Sequence, residues 1–288
     1  MSAGAKLKNM LAQGPVLAAA AFSPLSARLA QQAGFKALYL GGGALGYLKC
    51  ALEANLSLHD VLAAGVDIMV ACDLPLIMDA AAGYGDPMHV GRTVRLAEQV
   101  GFAAIEIEDQ VLPKRAHHHV GLDHVIPAEL MVAKIEEAAG ARRDDDFLII
   151  GRTNAIQSEG LDATLRRGEA MLRAGADLLF FLPRNLEDTV TIGKTFGPKL
   201  MLSCGAGFNH QSLGMSVEEL ASLGYRLFAE GGAALYAAHA AMRETYSWLA
   251  GSQPDTDKLG VLMAEMQKVQ ETVGLQQLLD IEKRTLKL

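Results

Sequence analysis

The chain has 288 residues, half of them apolar and a fifth charged, enough to bury one large α/β core. A net charge of −7 with no run of Lys and Arg argues against a phosphate-backbone partner, so no nucleic acid is expected. Three scattered cysteines, Cys50, Cys72 and Cys204, form neither a disulfide framework nor a C-x-x-C site and point to a reducing cytoplasm, and no apolar stretch reaches bilayer length, so no membrane is expected.

Met1 to Gln13 carries lysines before an apolar run that Pro15 and Pro24 interrupt, with no small-residue cleavage pattern, and is read as unprocessed. Strand-length apolar runs then recur: Val16 to Ala20, Ala37 to Leu40, Leu76 to Asp79, Ala104 to Glu108, Phe147 to Arg152, Leu178 to Phe181, Leu200 to Ser203 and Arg226 to Phe228. A longer stretch of helical period follows each, the sequence form of βα units, and eight units close a parallel (β/α)8 TIM barrel. Four units end alike, in Gln32-Ala33-Gly34-Phe35, Gln99-Val100-Gly101-Phe102, Arg173-Ala174-Gly175-Ala176 and Ser222-Leu223-Gly224-Tyr225, with glycine where a left-handed residue closes a helix. The repeated turn supports one repeating βα architecture over two unrelated domains; a doubly wound open sheet also alternates strand and helix, and the periodicity favours the barrel.

After Tyr246 the pattern is helix alone, with a break at Gln253-Pro254-Asp255 and a last helical segment from Leu259 to Leu279. The apolar stripe Leu259, Leu262, Met263 and Met266 needs a surface to cover it, on a partner subunit or on its own barrel. The chain therefore divides into a barrel, 1–250, and a C-terminal helical extension, 251–288.

Catalytic groups of a parallel barrel sit where strands end, so polar residues just past the apolar runs are the candidates. The second strand runs into Gly41, Gly42 and Gly43, whose bare backbone lets N–H groups approach an anion, or which simply make a tight turn. Asp79 and Glu108 end adjacent strands and suit a hard cation, Mg²⁺ or Mn²⁺, although salt bridges to Lys114, Arg115 or Arg152 would satisfy them equally. Glu106 and Glu108 share strand parity; Asp109 faces the other way. Arg152, followed by Thr153 and Asn154, presents a planar fork to a carboxylate, with an ion pair to Asp79 or Glu108 as the competing account. In the run His117-His118-His119, His118 is an acid/base candidate beside Lys114. Ser203, Cys204, Asn209, His210 and Glu230 follow the last two strands, and Cys204 reads as a small buried side chain rather than a nucleophile.

The series Leu74 to Asp79 with Gly83-Tyr84-Gly85, Ile107-Glu108-Asp109-Gln110 with Lys114-Arg115, Gly151 to Asn154, and Glu159-Gly160-Leu161-Asp162-Ala163 resembles the isocitrate lyase and phosphoenolpyruvate mutase superfamily. Among its short members it is similar to 2-methylisocitrate lyase, 2,3-dimethylmalate lyase and the oxaloacetate decarboxylase branch, from about Pro15 to Trp248. The resemblance implies a tetrameric barrel, a dimer of dimers with the last helix exchanged between subunits. It implies Mg²⁺ on Asp79 and, partly through water, on Glu108. It further implies a 2-oxo or 2-hydroxy acid substrate whose carboxylate meets Gly42, Gly43 and Arg152, cleaved through a metal-stabilised enolate.

The chain also departs from that pattern. Asp79-Ala80-Ala81 stands where many members read Asp-Ala-Asp, and Lys114-Arg115-Ala116-His117-His118-His119 where lyases carry Lys-Arg-Cys-Gly-His. Leu182-Pro183-Arg184 replaces a glutamate, and a family aspartate between Gly46 and Ser57 has only Glu53 as a stand-in. The expectation is a Mg²⁺-dependent carbon–carbon lyase, oxaloacetate decarboxylase-like or alkylmalate lyase-like, with a loop from Val111 to Asp123 closing over the site. P–C chemistry on phosphonopyruvate and a catalytically impaired binding barrel are the alternatives.

Overall fold

A computed structural model describes residues 1–117, 121, 123–204, 214–251 and 255–286. Eight parallel strands, β1 (Val16–Ala20), β2 (Ala37–Leu40), β3 (Leu76–Asp79), β4 (Ala104–Glu108), β5 (Leu148–Thr153), β6 (Leu178–Phe181), β7 (Leu200–Ser203) and β8 (Tyr225–Ala229), pair in chain order and close where β1 bonds to β8. This is the expected (β/α)8 barrel. Helix α1 (Ala3–Gln13) precedes it, and α2 (Pro24–Gln32), α3 (Gly42–Leu48), α4 (Leu58–Ala71), α5 (Pro87–Val100), α6 (Ala128–Ala141), α7 (Ile156–Glu159), α8 (Leu161–Arg173), α9 (Leu186–Phe196) and α10 (Val217–Ser222) fill the crossovers.

Strand period 2 sorts the strands into two cores. One parity, with Ala18, Tyr39, Ile77, Ile150, Phe180 and Leu227, packs inside the barrel; the other, with Leu40, Met78, Ile107, Ile149, Leu179 and Phe228, meets the helices. Local chemistry sets the helix ends. Ser57 and Asp60 form a capping box at α4, and Pro87 follows the N-cap Asp86 of α5. At the other end Gly101 adopts φ +111°, and Gly34, Gly175 and Gly224 share that sign, as the repeated turn requires.

Helix α1 is an element the sequence pattern did not reveal. Ser2 caps it, Leu7 is fully buried in the inner core, and Met10 and Leu11 pack beside it, so α1 plugs the N-terminal end of the barrel. Burying Leu7 contributes about 1.5–3 kcal/mol.

Beyond β8 lie α11 (Ala233–Ala250), α12 (Thr256–Thr272) and α13 (Leu275–Thr285). The segment expected as one helix from Leu259 to Leu279 is thus two, because Gly274 at φ +79° takes the left-handed turn between them. Asp255 caps α12, while Gln253 and Pro254 lie outside the described residues. Only Leu235 of α11 is buried, and Leu259, Leu262, Met263 and Met266 are all exposed.

Candidate active site

The ends of β2 to β5 bring one set of polar side chains to the C-terminal mouth. Register places Asp79 beside Glu106, and Glu108 beside Arg152. Asp79, Glu106, Glu108, Arg152 and Asn154 share the inward parity, whereas Asp109 and Thr153 face the helices, as the alternation predicts. The inner set is almost wholly buried.

Buried polar groups must find partners, and each one here does. Tyr39 Oη donates to Glu106 Oε2 at 2.8 Å, and Arg152 Nη1 donates to Glu106 Oε1 at 3.0 Å. Arg152 Nε lies 3.3 Å from Glu108 Oε2 and donates to Asn154 Oδ1 at 3.2 Å, while Asn154 Nδ2 donates to Glu108 Oε2 at 2.8 Å. Lys114, reaching in from the segment after β4, bonds to Glu108 Oε1 at 2.6 Å and also to Glu53 Oε1. Asp79 accepts backbone N–H bonds, from Gly42 at 3.0 Å and from Ala81 at 2.9 Å.

Glu53 arrives on a single 3-10 turn, Glu53–Asn55, and packs against Gly42. A Cβ on Gly42 would stand 2.3 Å from Glu53 Cγ, so the glycine serves close approach within the protein. Gly43 has open space where its side chain would be.

Four carboxylates, Glu53, Asp79, Glu106 and Glu108, therefore share two cations, Lys114 and Arg152. Burial, then the Asp79 charge, push Glu53 up to about 7 and Glu106 up to about 8. Burial also works to raise Glu108, but Arg152 and Lys114 outweigh it and hold it down at about 2. Burial opposes the charge on Lys114 and Arg152 too, yet the surrounding carboxylates, Glu108 first, hold both firmly protonated. Burial and the Asp79 charge keep the Tyr39 phenol neutral.

The ion pairs that rivalled the ligand reading on sequence are present: Glu108 meets Lys114 and Arg152, and Arg152 meets Glu106 as well. Arg115 is exposed instead. Arg152 keeps Nη2 without a partner among the described residues, and Lys114 has its charge at the mouth. The Gly42 N–H, expected to face an anionic ligand, is turned to Asp79. Leu182 packs against the inner core while Arg184 turns away to Asp188 at 2.8 Å. Glu230, expected to line the far side, accepts N–H bonds from Gly232 and Ala233 and caps α11. Burial pushes the Cys204 thiol up to about 12, so it is no nucleophile. His118, His119, Asn209 and His210 lie outside the described residues.

Tyr39 is the member that sequence reasoning missed. Its inward parity one residue before the end of β2, just ahead of the glycine run, was the available signal. Among the described residues no three acidic, histidine or cysteine side chains converge as a complete metal cage. Mg²⁺ does not need one, since it keeps several waters and takes one or two carboxylates. The donor set fits such an ion: the oxygens are hard, and four carboxylates face only two cations, Lys114 and Arg152.

Residues 7–250 match the family model described as phosphoenolpyruvate phosphomutase. The chain is 32% identical over 288 residues to 2,3-dimethylmalate lyase of Eubacterium barkeri, covering 98% of each chain. It is 41% identical over 171 residues to 2-methylisocitrate lyase of Salmonella typhimurium, but this covers only 58% of each. Among solved structures, a phosphoenolpyruvate phosphomutase from Streptomyces platensis subsp. rosaceus superposes with a TM-score of 0.90 at 26% identity over 100% of both chains. A phosphonopyruvate hydrolase in complex with oxalate and Mg²⁺ superposes with a TM-score of 0.84 at 27% identity, again over 100% of both.

Proposed function

The chain belongs to the phosphoenolpyruvate mutase and isocitrate lyase superfamily, and on that footing we propose that it is a Mg²⁺-dependent lyase that breaks a carbon–carbon bond next to a 2-oxo or 2-hydroxy carboxylate. The observation that carries this reading is the convergence of four buried carboxylates, Glu53, Asp79, Glu106 and Glu108, on only two cations at the barrel mouth. Asp79 and Glu108 would hold the cation. A divalent cation there supplies Lewis-acid charge for the oxygen on which negative charge develops.

The remaining residues bind and orient. Arg152, fixed by Glu106, Glu108 and Asn154, offers Nη2 to a substrate carboxylate. Lys114, held protonated, adds positive charge beside the reacting oxygen. Gly43 leaves room for a ligand to approach the backbone. Ala116 and Leu182 stand where related lyases have acid/base side chains, so the reading favours a step that needs no protein acid at the leaving fragment, as when CO2 departs from a 2-oxo dicarboxylate. His118 is retained as a candidate proton donor.

Oxalate, which mimics the planar oxo-acid unit, should bind with Mg²⁺ in calorimetry, and Asp79→Ala should abolish that binding. Pyruvate should form from oxaloacetate or an alkylmalate, and activity that survives complete metal removal would overturn the mechanism. The likeness to the phosphomutase favours P–C bond chemistry as a second reading, read out as phosphate released from phosphonopyruvate.

The same proposal extends to assembly. A mostly apolar groove of about 430 Å³ between α2 and α11 is lined by Leu25, Leu29, Phe35 and Ala238, and the extension, 251–288, exposes the matching stripe. Exchange of α12 and α13 between copies, building a dimer of dimers, would cover both. Free thiols and the lack, among the described residues, of a helix long and apolar enough to cross a membrane are consistent with a cytoplasmic setting.

A further inference from the structure

On the helix side of β4 and β5 lies a second buried ion pair that the proposed chemistry does not use. Arg167 of α8 and Asp109 are both buried. Arg167 spends Nε and Nη2 on Glu159, at 2.9 and 2.6 Å, which fixes the plane of the guanidinium. Its remaining Nη1 is shared between Asp109 Oδ2 at 3.3 Å and the Ile126 carbonyl at 3.0 Å.

Those two acceptors are the two ends of one segment. Asp109 is the first residue past β4, and Ile126 N–H returns to the Asp109 carbonyl at 2.8 Å. Gln110 and Val125 pair between them as an antiparallel bridge, and Val111 N–H donates to His124 at 2.9 Å. This segment carries Lys114 into the mouth. Asp109 also reaches β5: it accepts from Thr153 Oγ1 at 2.5 Å and from Asn154 N–H at 3.0 Å. Asn154 in turn holds Glu108 and Arg152.

We propose that Arg167 is a positioning residue for the site: from the helix layer it fixes, through Asp109 and the Ile126 carbonyl, where the Lys114 ammonium and the Asn154 carboxamide stand. The proposal rests on the reading that those two groups serve the mouth. A planar fork suits the task, because one guanidinium meets four acceptor oxygens on three residues at fixed angles where an ammonium of similar reach cannot. Placement errors near 1 Å, remote from the chemistry, are enough to lower a rate about a hundredfold.

The test uses the full-length protein with Mg²⁺ and the variants Arg167→Met, Arg167→Lys and Glu159→Gln. Amine acylation followed by mass spectrometry reads the protection of Lys114. Lys134, buried on α6 with Nζ 2.8 Å from the Ala82 carbonyl, is the internal reference. Labelling of Lys114 should rise about tenfold in Arg167→Met while Lys134 stays protected, with Arg167→Lys between and Glu159→Gln smallest. On whichever oxo acid is turned over, kcat should fall about 10- to 100-fold with KM within about threefold. Unchanged Lys114 protection in a folded variant overturns the proposal, and so does equal exposure of Lys114 and Lys134, which is global loosening. If Arg167→Met does not fold, the labelling order of the two milder variants decides. Failure of the lyase reading would show separately, as absent oxalate binding, and leaves the labelling result standing.

Discussion

Adding Mg²⁺ to the metal-free protein at pH 7 should release protons. With Glu53 at about 7 and Glu106 at about 8, the first is about half protonated and the second about nine-tenths. Burial first, and the Asp79 charge second, keep those protons in place, and a divalent cation on Asp79 and Glu108 would offset the second. If both carboxyls return to ordinary values, about 1.4 protons leave per site, and if burial retains most of the Glu106 proton, about 0.5. Titration calorimetry in phosphate and in Tris at one pH measures the number as the slope of enthalpy against buffer ionisation heat. The slope should vanish near pH 9, where both groups are already ionised, and Mg²⁺ affinity should rise between about pH 6 and 9. Both folded values lie above the ordinary 4.5, so the metal-free fold holds the extra protons and loses stability as pH rises through about 7 to 8. Mg²⁺ should therefore raise Tm more at pH 8.5 than at pH 6.5. Tight Mg²⁺ binding with a slope of zero at pH 7 would refute the coupling of Glu53 and Glu106 to the cation from which the number is worked.

Two further perturbations address the frame and the extension. Gly42→Ala places a methyl 2.3 Å from Glu53 Cγ and 2.8 Å from Cδ, so Glu53 must leave Lys114; urea denaturation should report a loss of about 1–3 kcal/mol, and oxalate affinity should fall with it. Leu262→Lys combined with Met266→Lys charges a face that is 42% and 48% exposed in one chain. Sedimentation velocity should then show a smaller assembly with unchanged helix content, and an assembly that stays intact would mean that this face covers nothing.

Much of the fold was legible because it is periodic. Strand ends fell within a residue of the apolar runs, and the four glycine turns adopt the backbone sign that their place demands. That Asp79, Glu108 and Arg152 stand together at the mouth followed from the same logic, since a strand end is where a parallel barrel puts its mouth. What was hidden depends on reach rather than period. Lys114 and Glu53 were each singled out, but their meeting across 61 residues was not, since Glu53 sits on a turn too short to carry a pattern. An arginine on an amphipathic helix reads as a solvated charge, so nothing marked Arg167 as buried. Leu7 hid for a related reason: a lone amphipathic helix does not announce what it plugs.

Strand β4 and the residue just past it serve two linked networks on opposite faces, Glu106 and Glu108 within the barrel and Asp109 behind it. Inserting or deleting one residue there would therefore not weaken the site by degrees but exchange the two networks, sending carboxylates among the helices and apolar side chains to the mouth. The spacing of these three acids thus acts as a ruler: a side chain here can be exchanged in place, whereas a change of length moves every acid beyond it to the wrong face.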